Sequence, residues 1–304
     1  METMAGSEPL VSLGLPVYNG ENYLRQALES LVAQTWQGGR FEQLEIVISD
    51  NASTDGTAAI CREFAAGDPR VRYFRQEKNI GAGPNYNFVF RESRGRYFKW
   101  AAHDDYMDPA AMDLCVRELE ADPATVLCHP RLVDVDGDGN VIGEFDRGDA
   151  GLREAPARFF QVIQIGHNCA EVFGLTRRAT LVQTGLIRDY TDSDRTLLGE
   201  LALRGRLRQV DGANFYRRVH AGKSDRVYAS YHERAEWFNP GNRGKVVMSA
   251  WNQLRDLSGS LLRCRLPLGQ KVACAWRLAK VTKWNAPLYR AELAWSVRRR
   301  LGRA

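Results

Sequence analysis

Apolar positions in the first hundred residues fall into short, predominantly apolar runs, separated by turn-forming polar clusters and amphipathic stretches. Leu10–Leu15 is one such run, ending in Pro16; Leu44–Ser49, Val71–Phe74 and Tyr97–Ala101 are others. Runs of this length match strands buried on both faces, as in a parallel sheet. Between them Tyr23, Leu24, Ala27, Leu28, Leu31 and Val32 recur at helical spacing, after the turn residues Asn19–Asn22. A helix is predicted over Thr57–Ala66, with Ile60, Cys61 and Phe64 inward; Asn85–Glu92 and Pro109–Ala121 read as helices too. Strand and helix alternating at this rhythm predict βαβ units and a largely parallel sheet, an α/β fold.

Further along, Val126–Val133 reads as a strand. Asp134–Asn140 superficially resembles a calcium loop, but Phe145 stands where a bidentate Glu is needed. Asp-Gly dipeptides flanked by valines and Ile142 predict a hairpin there instead. Ala155–Ile165 looks helical, Glu171–Leu175 extended, Arg195–Leu203 helical and Phe215–His220 a returning strand. Beyond Tyr228 the pattern is helical, with Trp237, Trp251, Trp276, Trp284 and Trp295 among basic residues. The expected division is therefore an α/β domain over residues 1–228 and a basic, Trp-rich helical appendage over 229–304.

Charge sharpens that division. The net charge of +5 conceals a segment, residues 251–304, with 12 Lys+Arg against 2 Asp+Glu. Such a segment implicates an anionic membrane surface or nucleic acid, and no nucleic-acid motif supports the latter. Packing on the α/β domain or on a second subunit is an equal alternative. At 304 residues, 44% hydrophobic and a mean hydropathy of −0.40, the composition is that of a soluble globular protein. No apolar window is long enough to span a bilayer, and the N-terminus lacks a signal-peptide layout. The six cysteines form no Cys-x-x-Cys pair, which argues against zinc or a disulfide framework and for a cytoplasmic protein.

Candidate chemistry gathers at strand ends. Tyr97–Ala102 delivers Asp104 and Asp105 to the end of the fourth strand, and Asp108-Pro109 opens a helix. Ligands of open α/β sheets sit outside the carboxyl ends of strands. Paired carboxylates there suit Mg²⁺ or Mn²⁺, although two adjacent acids by themselves read more readily as solvated loop residues than as a metal site. Asp50, ending the second strand, could accept a hydrogen bond from a base N–H; Ser53 and Asp55 read as helix caps.

Four segments in order, Leu15–Glu21, Ser49–Thr57, Asn79–Gly81 and Trp100–Pro109, resemble the signature of family 2 glycosyltransferases. The resemblance covers about residues 10–220. It implies a GT-A fold, with a Rossmann-like, mostly parallel sheet, and an inverting, metal-dependent enzyme using a nucleotide-diphospho-sugar. Pro16, Tyr18 and Glu21 match the first nucleoside-contacting loop, Asp50 the acid that reads the base, and Asn79 and Gly81 the following loop. The family's Asp-x-Asp motif falls on Ala102-His103-Asp104: the first Asp is missing, and the second, Asp104, is the metal ligand, followed by Asp105. Where the family often has Arg-Asn, this chain has Pro84-Asn85, so the Arg–phosphate contact is lacking. Ser193-Asp194 matches the Glu-Asp motif and makes Asp194 the candidate base, with Asp192 as runner-up. His220 matches a His that joins the metal or pyrophosphate, and Arg217, Arg218 and Lys223 are the cations available to replace the missing Arg. Gly166-His167-Asn168 resembles an acceptor-side loop, making His167 a candidate substrate contact.

The resemblance implies transfer from a UDP-sugar to a hydroxyl of a glycan, polyprenyl-linked or other small acceptor. A sugar-phosphate nucleotidyltransferase and a non-catalytic nucleotide-sugar-binding protein are the alternatives.

Overall fold

The computed structural model describes residues 8–145, 152–164, 166–222 and 231–300. Its strands are β1 (Val11–Val17), β2 (Thr35–Trp36), β3 (Gly39–Arg40), β4 (Leu44–Asp50), β5 (Val71–Arg75), β6 (Tyr97–Trp100), β7 (Tyr106–Met107), β8 (Thr125–Val135), β9 (Val141–Phe145), β10 (Leu175–Arg177) and β11 (Arg206–Arg218). Helices α1 (Leu24–Val32), α2 (Thr57–Gly67), α3 (Ala82–Glu92) and α4 (Ala111–Ala121) follow the early strands. They are succeeded by α5 (Ala155–Ile163), α6 (Arg178–Leu181) and α7 (Ser193–Ala202), then by α8 (Tyr231–Phe238), α9 (Ser249–Arg263), α10 (Leu268–Trp284) and α11 (Ala286–Arg300).

Among the described residues one large sheet runs β5-β4-β1-β6-β10-β8-β11-β7, with β9 paired to β8. The half read from apolar runs, β5-β4-β1-β6, is wholly parallel. Every residue of β1 and β4 is buried, as a sheet covered on both faces requires. Alternation splits the core in two: Ile46 and Ile48 pack with α1 and α4, whereas Val47 faces the opposite side with Phe90, Phe98 and Trp100. The second half is mixed, because β10 runs antiparallel between β6 and β8 while β11 runs parallel to β8.

Three local expectations change. Residues 170–173 form a 3₁₀ turn, and extended backbone begins only at Leu175. The returning strand starts at Arg206, nine residues before Phe215, with a register break between Val210 and Asn214 around Gly212, whose φ is +88°. The polar residues and the Asp-Gly pair inside that strand mimic a loop. The Asp134–Asn140 hairpin does form, with Asp136 Oδ1 accepting from the amides of Asp138 and Asn140, each at 2.9 Å.

The C-terminal helices share the second core. Leu257 and Leu261 of α9, and Cys274, Leu278 and Val281 of α10, pack in one cluster with Phe159, Leu197 and Leu198. Glu292 of α11 accepts from the amide of Ala250 at 2.9 Å, a carboxylate at the N-terminus of α9 where the helix dipole favours it.

Candidate active site

Because β4, β1 and β6 are adjacent and parallel, the loops leaving their carboxyl ends emerge side by side. These loops are Tyr18–Glu21, Asn51–Gly56 and Ala101–Asp105. The first two are laced together reciprocally. The amides of Asn19, Gly20 and Glu21 donate to Ser53 Oγ (2.9 Å), Thr57 Oγ1 (2.8 Å) and Asp55 Oδ2 (3.1 Å). In return the amides of Thr54 and Gly56 donate to Asn19 Oδ1 (2.9 Å) and Glu21 Oε2 (2.6 Å). Asn51 links a third loop, accepting from the Ile80 amide at 2.8 Å and donating to Asn79 Oδ1 at 2.9 Å. Gly81 has φ +91°, and a Cβ there would lie 2.5 Å from Pro240 Cδ, so the segment after α8 presses directly on this loop.

This lacing fixes what the sequence-named residues do. Pro16 is buried within β1, and Tyr18 stands 40% exposed at its end. Glu21 and Asn79 are exposed, yet each spends a side-chain oxygen on a loop amide. Asp50 has no exposed surface; it accepts from the Ser53 amide (2.8 Å), the Tyr73 hydroxyl (2.9 Å) and Arg75 (2.9 Å). Its carboxylate anchors the loop from below. Asp55 accepts from the Thr57 amide at 3.0 Å, a turn contact just ahead of α2, whose N-cap is Gly56 rather than Asp55.

Ala52 adopts φ +62° in the same loop, a conformation that costs an L-residue about 1–2 kcal/mol. Ala52→Gly therefore stabilises the fold by about 0.5–1 kcal/mol after the greater unfolded-state freedom of glycine is deducted. A raised denaturation midpoint at unchanged denaturant slope checks this.

The acid pair is completed by β7 and β11, which pair antiparallel with Tyr216 opposite Tyr106. Continued two residues, that register brings Arg218 beside Asp104. His220 then reaches Asp104 with Nε2 at 3.0 Å from Oδ2. The Gly222 amide donates to His220 Nδ1 at 3.2 Å, so the ring proton sits on Nε2 and is donated to Asp104. The His220 ring packs against Tyr23 at 4.9 Å. Asp105 is buried and accepts the Arg218 amide at 2.9 Å.

Beneath it Lys99 is buried, its amine held near a pKa of about 8 by desolvation, which the charge of Asp105 partly offsets. Its Nζ donates to the Trp100 carbonyl at 2.9 Å.

Asp104 and His220 are of residue types that could hold a divalent cation, a carboxylate and an imidazole that would give up its Nε2 proton. Among the described residues no third His, Cys, Asp or Glu joins the pair. Mg²⁺ commonly completes such a shell with waters and substrate phosphates.

Two sequence expectations are corrected. Arg217 and Arg218, as neighbours on a strand, point to opposite faces. Arg217 forms a bidentate pair with Asp134 at 2.8 and 2.7 Å. Arg218 is buried, donating to the carbonyls of Asp104 (3.1 Å), Asp136 (3.1 Å) and Gly137 (2.8 Å) and to Gln26 Oε1, with its guanidinium 4.6 Å over the Tyr23 ring. Both are structural clamps rather than phosphate contacts. Lys223 lies outside the described residues.

Asp194 opens α7. It is half-buried, and desolvation, followed by the charge of Asp192, raises its carboxyl to about 6. Asp192, in the left-handed region at φ +61°, is exposed and makes no side-chain cap; Asp194 Oδ1 takes the Arg195 amide at 2.7 Å. Arg195 in turn donates to the His167 carbonyl at 3.1 Å. The His167 ring is turned to buried Glu171, 3.2 Å away, which ties this loop to the 3₁₀ turn that follows it.

One residue escaped the sequence reading: Tyr86, on α3. Burial raises its hydroxyl well above the ordinary range, and Asp104, Asp105 and Asp194 raise it further. Three carboxylates thus lie near enough to one phenol to act on its charge. Spaced helical aromatics read as core, so only the fold reveals it.

The laced loops and the acid–His pair thus lie outside the carboxyl ends of the strands, where ligands of open α/β sheets bind. The profile of Glycosyl transferase family 2 matches residues 12–179, and the chain belongs to that family. Chondroitin synthase of Escherichia coli is 37% identical over 134 residues, covering 44% of this chain and 19% of that one. An uncharacterized glycosyltransferase of Rickettsia typhi is 35% identical over 129 residues, covering 41% of this chain and 38% of that one. The matches thus span well under half of these relatives' own lengths. In fold, the chain resembles S. aureus TarS 1–349 in complex with UDP-GlcNAc (TM-score 0.68, 16% identity, 95% of this chain and 80% of that one). It also resembles the mannosyltransferase PcManGT of Pyrobaculum calidifontis, solved with GDP-Man and Mn²⁺ (TM-score 0.55, 17% identity, 96% and 76%). These similarities establish a GT-A fold. Among the described residues, no helix is long and apolar enough to cross a membrane.

Proposed function

We propose that this chain transfers a sugar from a nucleotide-diphospho-sugar, a UDP-sugar first of all, to a hydroxyl of a glycan, a polyprenyl-linked or another small acceptor. The observation that carries the reading is Asp194, a half-buried carboxyl in the first turn of α7, raised to about 6 by desolvation and by the charge of Asp192. A general base works best with a pKa near the operating pH. Family membership and fold neighbours solved with UDP-GlcNAc and GDP-Man support the donor class.

In this reading Asp194 takes the proton of the acceptor hydroxyl. The acceptor oxygen bonds to the anomeric carbon as the bond from that carbon to the diphosphate breaks. The electron pair leaves with the nucleoside diphosphate, and a single displacement inverts the anomeric centre. Tyr18 and the laced loops hold the nucleoside, and Asp50 keeps them rigid. Mg²⁺ or Mn²⁺ bound by Asp104 and His220 would supply positive charge against the departing diphosphate.

The test is the pH dependence of kcat. Protonated Asp194 accepts nothing, so the rate falls as pH drops through about 6, approaching tenfold per pH unit below it. Asp192→Asn removes the neighbouring charge that raises Asp194 and moves this acid limb to lower pH. An acid limb that ignores both Asp192 and Asp194 contradicts the assignment.

A further inference from the structure

Helix α10 is apolar on two opposite faces. Cys274, Leu278 and Val281 dock it onto the core. On the other side Leu268, Val272 and Trp276, spaced four apart, are 78%, 61% and 63% exposed. Docking a helix requires one apolar face, so the second is unspent. Cations border it. Lys280 Nζ sits 5.3 Å over the Trp276 ring and 4.7 Å over that of Trp284, itself 55% exposed, while Arg265 and Lys283 are exposed nearby.

The two acids of residues 251–304 are both turned inward. Asp256 is buried against the Tyr190 hydroxyl at 3.0 Å, and Glu292 holds the Ala250 amide. The outward charge of this segment is therefore cationic.

We propose that this face of α10 lies on an anionic lipid bilayer surface. Leu268, Val272 and Trp276 enter the boundary between headgroups and acyl chains, and Arg265, Lys280 and Lys283 meet lipid phosphates. Tryptophan with snorkelling lysine is the chemistry of that boundary, where an aromatic body needs an apolar layer and the amine needs phosphate and water. A purely polyanionic partner would leave the Leu–Val–Trp stripe wet; a purely apolar partner would leave the cations unpaired. An anionic membrane satisfies both. The inference is independent of the reaction at Asp194, since it concerns a different face and needs no turnover.

The experiment is co-sedimentation of the full chain with phosphatidylcholine vesicles, with and without phosphatidylglycerol, alongside sedimentation velocity without lipid. The expected result is binding to the anionic vesicles, at least about tenfold weaker to phosphatidylcholine alone. Leu268→Gln/Val272→Asn/Trp276→Gln should lower it about tenfold or more, with circular dichroism and the thermal midpoint unchanged because these side chains are exposed. Arg265→Glu/Lys283→Glu, which leaves the stripe intact, should also weaken binding and flatten its salt dependence. No binding to anionic vesicles, or binding that both variants retain, overturns the proposal. A wild-type dimer that the triple variant dissolves, without vesicle binding, overturns it in favour of a subunit interface.

Discussion

Asp194→Asn should slow transfer by about 10²–10⁴-fold while leaving donor affinity within about twofold, because it removes the base without touching the loops that hold the nucleoside. The substitution conserves shape, and the Asn oxygen can still take the Arg195 amide that Oδ1 accepts at 2.7 Å. The same change should stabilise the fold. The carboxyl rises from an ordinary 3.8 to about 6, so its ionised form is disfavoured in the native state. Wild-type stability from this group is complete below about pH 4 and is lost as pH rises through about 6. The Asn variant escapes that loss, gaining on the order of 2 kcal/mol near pH 8 and little near pH 4. Steady-state kinetics and denaturant unfolding at the two pH values check both halves. A group that gives up stability for charge at one position is a mark of function rather than of packing.

Asp104→Asn and His220→Ala are the second pair of large effects. Each should lower kcat by about 10²–10³-fold, as loss of one stabiliser of transition-state charge does. Asp105 offers little compensation, because its Oδ1 already accepts the Arg218 amide at 2.9 Å inside the protein. If Asp104 and His220 hold the cation, both variants raise the Mn²⁺ concentration needed for half-maximal rate, and chelation abolishes wild-type turnover. A structural role for His220 predicts otherwise: the metal requirement stays where it was and the thermal midpoint falls. Titrating Mn²⁺ against rate, with a melting curve on each variant, distinguishes the two.

The parallel half of the fold was legible because its strands are buried on both faces, so apolar residues dominate LVSLGL and LEIVIS, and two polar ones within them, Ser12 and Glu45, hydrogen-bond to each other at 2.7 Å. The mixed half was not. β11 carries arginines, a glutamine and an Asp-Gly pair within a bulged strand, and β7 is two residues long between aspartates. The acid pair and His220 were legible as motifs, and the Tyr106–Tyr216 register supplies the reason they meet. Arg217 and Arg218 misled because a cluster of cations in sequence looks like a phosphate site. Strand alternation sends one to Asp134 and the other beneath the loop, which only pairing can reveal. Tyr86 was invisible for the opposite reason, being one aromatic among Phe88 and Phe90 on a helix. The boundary drawn near residue 228 followed the change to a helical, Trp-rich pattern, whereas α9 and α10 follow apolar contact and join the core of α5 and α7.

The most direct measurement is nucleoside diphosphate release from a panel of nucleotide-sugars with Mn²⁺ and hydroxyl acceptors, run on wild type, Asp194→Asn and Asp104→Asn. The account predicts acceptor-dependent release from one donor, lost in both variants. Tight donor binding without release in the presence of suitable acceptors, or release that survives Asp194→Asn, would contradict it.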